Sequence, residues 1–298
     1  STSDTEVILK SYHCWGLEIV DRLVGMFAIA IYNRKDGELL LIRDRIGIKP
    51  FYYYFDNQSF VYASELKPIM SYPHFSPQIN RKRIYDYLYH GYITAPDTVF
   101  ENVFKLEPGS YLKYNGSVPE IKKYWDLHNI LHQMPDTVRY SEEQALEKLN
   151  DLLISSVRYR MISDVPIGSF LSGGIDSTLI TAIMQDLSDQ PVNTFTIGFD
   201  EDHYNEAPFA RKISDYLGTN HFEQYLSINK TKELIEKIPE FYDEPFGDSS
   251  ALPTILVSRL AKNNATVILS GDGGDEVFCG YLNYDFVQEM VKYMIPGK

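Results

Sequence analysis

The pattern of apolar and polar residues changes character once along the chain, near residue 126. In the first third, short apolar runs are separated by turn residues such as Asp36-Gly37 and Asp56-Asn57. Runs of this kind joined by tight turns predict an antiparallel sheet. The predicted strands are 26–32, 38–43, 51–55, 59–63 and a hairpin of 110–114 with 121–125, and one helix is predicted at 81–90.

Beyond residue 126 the pattern predicts alternating strands and helices. Residues 127–140 show no clear period, so we place a linker there, and Ser141 with Gln144 has the spacing of a capping box that opens a helix. Such alternation predicts a doubly wound parallel sheet with helices on both faces. The predicted strands are 165–171, 194–199, 222–226 and 266–270, and the predicted helices between them are 177–187, 206–217, 229–241 and 251–263. The sequence therefore predicts a β-rich α+β domain at 1–126, a linker at 127–140 and an α/β domain at 141–298.

Composition narrows the class of protein. A chain of 298 residues is long enough for two domains of about 100–200 residues each. A formal net charge of −13 gives no general basic surface for nucleic acid. No apolar run approaches the ~18–20 residues that cross a bilayer. The first six residues form neither a basic leader nor an apolar signal core. Two distant cysteines without metal spacing favour a reducing, cytoplasmic compartment.

The first candidate for chemistry is segment 172–177, Ser-Gly-Gly-Ile-Asp-Ser, which joins a predicted strand to an apolar helix. Its glycines allow backbone N–H groups to converge, and the start of the helix adds further unpaired donors. The serine hydroxyls add more donors, so the segment suits a polyphosphate. Asp176 would repel phosphate unless a divalent cation lies between them, which implies Mg²⁺. The chain has no Gly-Lys-Ser/Thr here, so this is not a Walker A loop. The structural alternative is a plain capped connection.

The second candidate is segment 270–276, Ser-Gly-Asp-Gly-Gly-Asp-Glu, which follows the last predicted strand. Open parallel sheets bind ligands at the carboxyl ends of their strands, and both segments fall there. One segment is rich in donors and the other in acids, which favours Mg-ATP over a solvated turn. Asp176 and Asp275 would hold the cation, and Asp272 would lie near the reacting phosphate.

At these segments the chain resembles known families. Segment 172–177 resembles the pyrophosphate loop of N-type ATP pyrophosphatases. Almost the whole chain, in the same order, is similar to glutamine-hydrolysing asparagine synthetases, although each motif alone is shared with relatives such as β-lactam synthetases. The motifs are 164–171, 194–199 with Asn205-Glu206 after it, and 270–281 in the synthetase part, and 43–52 and 63–67 in the glutaminase part. The resemblance implies the C-terminal part of an N-terminal-nucleophile-hydrolase-like glutaminase domain, followed by an adenine-nucleotide α-hydrolase-like (ATP pyrophosphatase) domain.

The resemblance also implies a reaction. ATP adenylates the side-chain carboxylate of aspartate, and ammonia released from glutamine attacks the acyl adenylate to give asparagine and AMP. Asp272 matches an acidic family position needed for adenylation, where many members have Glu, and Asp4 matches the acid that binds the α-amino group of glutamine. Asp176 and Asp275 would bind Mg²⁺, and a homodimer is compatible with the family. The implied ATP-binding residues are Phe170, Leu171, Ser172, Gly173, Gly174, Asp176, Ser177, Ile197, Ser270 and Gly271.

One departure from the family is large. Members begin with a nucleophilic cysteine, whereas this chain begins with Ser1 in a segment that resembles a point well inside the glutaminase domain. Cys14 is internal and Cys279 is more typical of packing, so neither replaces that nucleophile. We therefore expect a fragment of a longer protein.

Two other functions stay open. One is a related enzyme that makes another amide, for example in cell-surface polysaccharide or antibiotic synthesis. The other is a non-catalytic nucleotide-binding remnant, against which the intact segment 172–177 with Asp176 and Asp275 argues.

Overall fold

The computed structural model describes residues 3–134, 140–200, 205–226 and 228–294. The chain divides into two compact units. Unit 1 contains Ser1–Val138 and Pro239–Asp248, and unit 2 contains Arg139–Ile238 and Ser249–Lys298. Among the described residues, no helix is long and apolar enough to cross a membrane.

Unit 1 is built on two antiparallel sheets. The first has the order β1-β2-β6-β7 and the second the order β4-β3-β5. The strands are β1 (Ala28–Asn33), β2 (Glu38–Arg43), β3 (Tyr52–Phe55), β4 (Phe60–Ala63), β5 (Val103–Lys105), β6 (Ser110–Tyr114) and β7 (Glu120–Lys123). The helices are α1 (Asp4–Trp15), α2 (Ile19–Arg22), α3 (Leu66–Met70), α4 (Arg81–His90) and α5 (Leu127–Gln133), with a 3-10 turn at Gly16–Glu18.

Strand β2 is buried on both faces, which explains its continuous apolar sequence. Leu39 and Leu41 pack against residues of the second sheet, including Tyr53. Leu40 and Ile42 pack on the opposite face, in a cluster that includes residues of α1 and α2. Successive side chains of a strand point to opposite faces, so β2 lies in the middle layer of unit 1.

Unit 2 is a parallel sheet with the order β10-β9-β8-β11. The strands are β8 (Ile167–Phe170), β9 (Asn193–Phe199), β10 (Asn220–Leu226) and β11 (Val267–Leu269). The helices are α6 (Glu142–Arg160), α7 (Ile175–Asp186), α8 (Ala207–Leu217), α9 (Ile228–Ile235), α10 (Ile238–Phe241, at the boundary with unit 1), α11 (Ala251–Ala261), α12 (Gly274–Phe278) and α13 (Leu282–Met294).

Helices cover both faces of this sheet, as predicted. Val267 and Leu269 belong to a core formed with α6 and α7. Ile268, between them, belongs to a second core formed with residues of α11. The alternation along β11 therefore confirms an α/β layer structure for unit 2.

Two predicted features differ from the structure. The first half of the predicted linker 127–140 forms α5, because the Asp126 side chain accepts a hydrogen bond from the backbone N–H of His128 and caps the helix. Residues 135–139, which include Pro135, lie outside the described residues. The single helix predicted at 229–241 is two helices, α9 and α10, and Pro239 lacks the N–H that a continuous helix would use.

Candidate active site

The first loop connects β8 to α7, and segment 172–177 covers this loop and the first residues of α7. Gly173 has φ of +93°, in the left-handed region that favours glycine. A Cβ placed on it would lie 3.0 Å from the Cβ of Phe209 and 3.3 Å from the backbone nitrogen of Ala210. Both the conformation and the close approach of α8 therefore require glycine here.

The two serines of this loop bond to each other. Their Oγ atoms lie 2.9 Å apart. The Oγ of Ser177 also accepts from the backbone nitrogen of Ser172 at 3.2 Å, and the Oγ of Ser172 accepts from the nitrogen of Gly174 at 3.2 Å. The sequence predicted these hydroxyls as phosphate donors. In the structure they stabilise the turn.

The remaining donors of the first loop belong to the start of α7. Gly174 is the N-cap residue and makes no side-chain capping bond. The N–H groups of Ile175, Asp176 and Ser177 lie in the first turn, where an α-helix has no internal acceptor for them. Segment 172–174 and Ile175 are mostly exposed. The loop thus offers an accessible, electropositive helix start to an anion.

The second loop connects β11 to α12, and segment 270–276 covers this loop and the first residues of α12. The hydroxyl of Ser270 donates to Oδ2 of Asp272 at 2.8 Å, and Asp272 is exposed. Gly273 has φ of +95° and precedes α12. The loop therefore presents the Asp272 carboxylate to solvent in a conformation fixed by its neighbour.

The two loops touch, because β8 and β11 are adjacent parallel strands with Leu269 paired to Ser169. A Cβ on Gly271 would lie 2.7 Å from the backbone nitrogen of Ser177 and 2.9 Å from the carbonyl carbon of Asp176. A Cβ on Gly274 would overlap the Asp176 carboxylate. The structure thus brings the donor-rich and acid-rich segments together, as the sequence predicted from their positions at strand ends.

The predicted metal ligands, Asp176 and Asp275, are each partly buried. The Asp176 carboxylate lies against Gly274, the residue before Asp275, and the Asp275 carboxylate packs against Gly280. Within the described residues, no group of three or more His, Cys, Asp or Glu side chains could hold a metal ion. Mg²⁺ is commonly held by one or two carboxylates, with phosphate and water as the other ligands, so the pair fits Mg²⁺ in the presence of a nucleotide.

Several residues that were predicted to contact adenosine are buried or already use their backbone groups in other hydrogen bonds. The backbone nitrogen of Leu171 donates to the oxygen of Phe195 at 3.0 Å, and its oxygen accepts from the Thr196 hydroxyl. Phe170 packs in the core beside α11, and Ile197 is half-buried in β9. The backbone of Leu171 therefore has no N–H left for a base.

Two groups near the site were not predicted. Glu206 precedes α8, its carbonyl oxygen would lie 3.6 Å from a Cβ on Gly173, and burial raises the pKa of its carboxyl. The hydroxyl of Tyr281 donates to Glu276 at 2.8 Å, and this hydrogen bond raises the pKa of Tyr281 to about 12. Both residues lie in segments that resemble the family, and this resemblance is the signal by which the sequence could have identified them.

In unit 1, Asp4 is the first residue of α1 and is exposed. Its Oδ1 accepts from the backbone nitrogen of Thr5 at 2.7 Å, which leaves Oδ2 available to a ligand. Cys14 is exposed on the same helix, and Cys279 is exposed after α12. The proposed glutamine site thus depends on Asp4 alone among the predicted residues.

The motif at 43–52, which resembles the glutaminase part of the family, is structural in unit 1. Asp44 is fully buried and accepts from the backbone nitrogens of Ile48 and Lys49, each at 2.9 Å. Arg43 donates to the oxygens of Gly47 at 2.8 Å and Lys49 at 2.9 Å. Burial lowers the pKa of Arg43. These bonds fix the turn between β2 and β3.

Comparisons with known proteins agree with this geometry. The asparagine synthase family model matches residues 148–294, and the glutamine amidotransferase domain model matches residues 1–125. A Methanocaldococcus jannaschii protein named “Putative asparagine synthetase (glutamine-hydrolyzing) 2” is 40% identical over 98% of the chain. The chain belongs to the asparagine synthetase family. Asparagine synthetase (glutamine-hydrolyzing) 1 of Bacillus subtilis is 34% identical over 95% of the chain.

The comparisons also include a more distant relative. A Gibberella zeae protein named amidase chry2 is 27% identical over 94% of the chain and 43% of its own length. The chain spans 58% of the length of the M. jannaschii relative and 44% of the length of the B. subtilis one, so it covers about half the length of these relatives. Among solved structures, an NMN synthetase from Francisella tularensis matches 48% of the chain and 60% of its own, with 16% identity and a TM-score of 0.34, too low for a conclusion about fold.

Proposed function

We propose that the complete protein is an ATP-dependent ligase that makes asparagine from aspartate, takes nitrogen from glutamine, and releases glutamate, AMP and pyrophosphate. The observation that carries the proposal is the contact of the two strand-end loops, where Gly271 lies against Asp176 and Ser177. Under this proposal unit 2 has the adenine-nucleotide α-hydrolase-like fold of ATP pyrophosphatases. Unit 1 is then the later part of an N-terminal-nucleophile-hydrolase-like glutaminase.

The chemistry follows from the donors and acids at the loops. An aspartate carboxylate oxygen bonds to the α-phosphorus of ATP, and pyrophosphate leaves with the electron pair of the broken P–O bond. The N–H groups at the start of α7 would stabilise the charge that develops on pyrophosphate. Ammonia then attacks the acyl carbon, and AMP leaves. Asp272, held by Ser270, would orient the aspartyl group for the first step.

Mg²⁺, when bound, would neutralise phosphate charge, and Asp176 and Asp275 would hold it. The test replaces each residue by Asn and titrates Mg²⁺ against pyrophosphate release in the complete protein. Each variant should need more Mg²⁺ for half-maximal release, because a neutral amide is a weaker ligand than a carboxylate. Normal Mg²⁺ dependence in both variants would contradict the assignment.

Asp4 would bind the ammonium group of glutamine in unit 1 through a charge-assisted hydrogen bond, worth about 1.5–3 kcal/mol. Free ammonia would link the two reactions. The substrates are small molecules, and a cytoplasmic homodimer is the form we propose for the complete protein. These assignments predict that loss of Asp4 affects glutamine-dependent and ammonia-dependent synthesis differently.

The proposal is tested by a two-by-two assay on the complete protein, in which AMP and glutamate are both measured. Asp4→Ala should weaken glutamine-dependent synthesis and leave ammonia-dependent synthesis intact, because ammonia bypasses the glutamine pocket. Asp272→Ala should suppress synthesis from either donor, because adenylation precedes nitrogen transfer. Basal glutamine hydrolysis should survive in Asp272→Ala.

The same assay can contradict each assignment separately. Equal loss of ammonia- and glutamine-dependent synthesis in Asp4→Ala would make Asp4 a structural residue of α1. Normal synthesis in Asp272→Ala would remove it from the adenylation step. If the unmodified protein formed no AMP with aspartate and ammonia, the proposed function itself would fail.

The second candidate is an enzyme of this family that amidates another carboxylate. It is favoured by Asp272, which replaces the Glu of many family members, and by the match to a relative named as an amidase. A shorter side chain at this position leaves more room beside the reacting phosphate. AMP formation with a panel of carboxylic acids separates the candidates, since only aspartate should support it under the first proposal.

A further inference from the structure

Segment 239–248 belongs to unit 1, although the residues on both sides of it belong to unit 2. In sequence it falls within the region that matches the asparagine synthase family model. The chain therefore leaves unit 2 after Ile238 and returns at Ser249, two residues before α11 begins. We call segment 239–248 the strap.

The first attachment of the strap is Asp243. Its Oδ2 accepts from the backbone nitrogen of Leu66 at 2.7 Å, and its Oδ1 accepts from Nζ of Lys67 at 2.8 Å. Leu66 is the first residue of α3, and the N-cap residue Glu65 makes no side-chain capping bond. Asp243 thus supplies the acceptor that α3 lacks locally.

The second attachment is Glu244. Its Oε1 accepts from the backbone nitrogen of Val99 at 2.7 Å, and its Oε2 lies 2.6 Å from Nζ of Lys105. The side chains of Lys105 and Glu244 are only 16% and 12% exposed, so solvent screens this pair little. Nζ of Lys105 also donates to the oxygen of Ile93 at 2.6 Å.

The third attachment uses only backbone. The nitrogen of Gly247 donates to the oxygen of Gly91 at 2.7 Å, at the end of α4. A Cβ on Gly247 would lie 3.2 Å from the Cα of Gly91, so the two chains run in close contact. Three separate regions of unit 1 therefore hold ten residues that the sequence assigns to the synthetase half.

We propose that Asp243 and Glu244 are positioning residues that fix the strap in unit 1, and that this attachment couples glutamine hydrolysis to amide synthesis. The proposal rests on the proposed function, which assigns one reaction to each unit. A strap held by unit 1 continues within a few residues into α11, which packs against the sheet of unit 2 through Ala261 and Phe195. A change in how unit 1 holds the strap is thus passed along the chain to the element that supports the synthetase site.

The test compares Asp243→Asn and Glu244→Gln, singly and together, with the control Glu240→Gln in the complete protein. Glu240 is exposed and lies in the same segment. Hydrogen exchange is measured on peptides that contain the amides of Leu66, Val99 and Gly247. Loss of a charged acceptor should speed exchange at Leu66 and Val99 by about tenfold, and the control should not.

The second measurement is the ratio of AMP formed to glutamate released. In the double variant this ratio should fall by about fivefold, the lower range of typical coupling between sites. Ammonia-dependent AMP formation should stay at the unmodified rate. A residue that only stabilises the fold would lower both activities together and leave the ratio unchanged.

The outcomes distinguish failure of the coupling proposal from failure of the proposed function. Unchanged exchange, or faster exchange with an unchanged ratio, overturns the coupling proposal, and so does a parallel loss of both activities. An unmodified protein that forms no AMP from aspartate and ammonia overturns the proposed function, and the coupling proposal falls with it. Faster exchange in that case would still show that the two carboxylates hold the strap.

Discussion

At Gly271 the second loop leaves no room for a side chain. The atoms nearest to a Cβ there are the backbone nitrogen of Ser177 and the carbonyl carbon and Cβ of Asp176, which cannot move without displacing the start of α7. Under the proposed function, we predict that Gly271→Ala weakens ATP binding by the complete protein by about fivefold or more, because overpacking typically costs about 1–3 kcal/mol. Isothermal titration with a non-hydrolysable ATP analogue measures the effect.

The matched control for this prediction is Gly273→Ala in the same loop. Gly273 has φ of +95°, but nothing lies within 4 Å of a Cβ placed on it. It tests backbone strain without a clash, so its loss of affinity should be the smaller of the two. If Gly273→Ala were the more damaging change, the contact between the loops would not be what limits binding.

Individual residues also show which features of the site a sequence pattern can predict. The glycines and acids of segments 172–177 and 270–276 were predicted to meet, and the structure brings them together. The hydrogen bond between Ser172 and Ser177 was not predictable, because it depends on a turn conformation that spacing alone does not specify. The same holds for Arg43 and Asp44, because their motif was recognisable in the sequence while the hydrogen bonds that they make in the turn were not.

At the scale of elements, prediction succeeded where periodicity was strong. Strand β2 and helix α4 have the predicted bounds, and strands and helices alternate along the chain in unit 2 as predicted. The short elements α3 and β5 were not predicted, because each spans too few residues to show a period. Helix α5 was missed for the same reason, although the Asp126 cap was visible in the sequence.

The capping box of α6 allows a prediction about stability. The Oγ of Ser141 accepts from the nitrogen of Gln144 at 3.2 Å, and the Gln144 side chain accepts from the nitrogen of Ser141 at 3.1 Å. Ser141→Ala should lower the free energy of unfolding by about 0.5–2 kcal/mol, because one helix N–H loses its partner. Urea unfolding followed by circular dichroism measures the change.

The control is Ser141→Asp, which keeps an oxygen acceptor at the N-cap and adds a favourable charge at the helix start. It should retain the stability of the unmodified protein. If Ser141→Ala and Ser141→Asp were equally destabilised, packing of the serine rather than its capping bond would be responsible. α6 contributes Val157 to the core of unit 2, so fraying of its first turn should leave that core intact.

At the scale of the whole molecule, the least predictable feature is the strap. Its attachments join Asp243 to Leu66 and Glu244 to Val99, pairs separated by 177 and 145 positions in the chain. Local periodicity carries no information about such distant pairs. A sequence with both acids between two helical segments is equally compatible with a solvated loop.

Unit 1 contains several tyrosines whose pKa values are raised to about 12, chiefly by burial, namely Tyr52, Tyr53, Tyr54 and Tyr124. An unfolded tyrosine loses its proton near pH ~10. Between about pH 10 and 12 the unfolded state therefore binds fewer protons than the native state, and the free energy of unfolding falls as pH rises. Below about pH 10 both states keep these protons and the effect vanishes. We predict an alkaline loss of stability in unit 1.

Tyr53→Phe tests this prediction, because the Tyr53 ring packs against Phe60 and Phe104 and the substitution keeps the ring. The free energy of unfolding should fall less steeply with pH between about 10 and 12. The reason is that the difference in bound protons between the native and unfolded states decreases by up to one. Urea unfolding at a series of pH values, followed by tryptophan fluorescence, measures it, since both tryptophans, Trp15 and Trp125, lie in unit 1. The control Phe104→Leu should lower stability at every pH and keep the original slope, because it removes packing without removing a titrating group. An unchanged slope in Tyr53→Phe would mean that Tyr53 titrates equally in the native and unfolded states, and that burial of its hydroxyl contributes nothing to the alkaline limit of the fold.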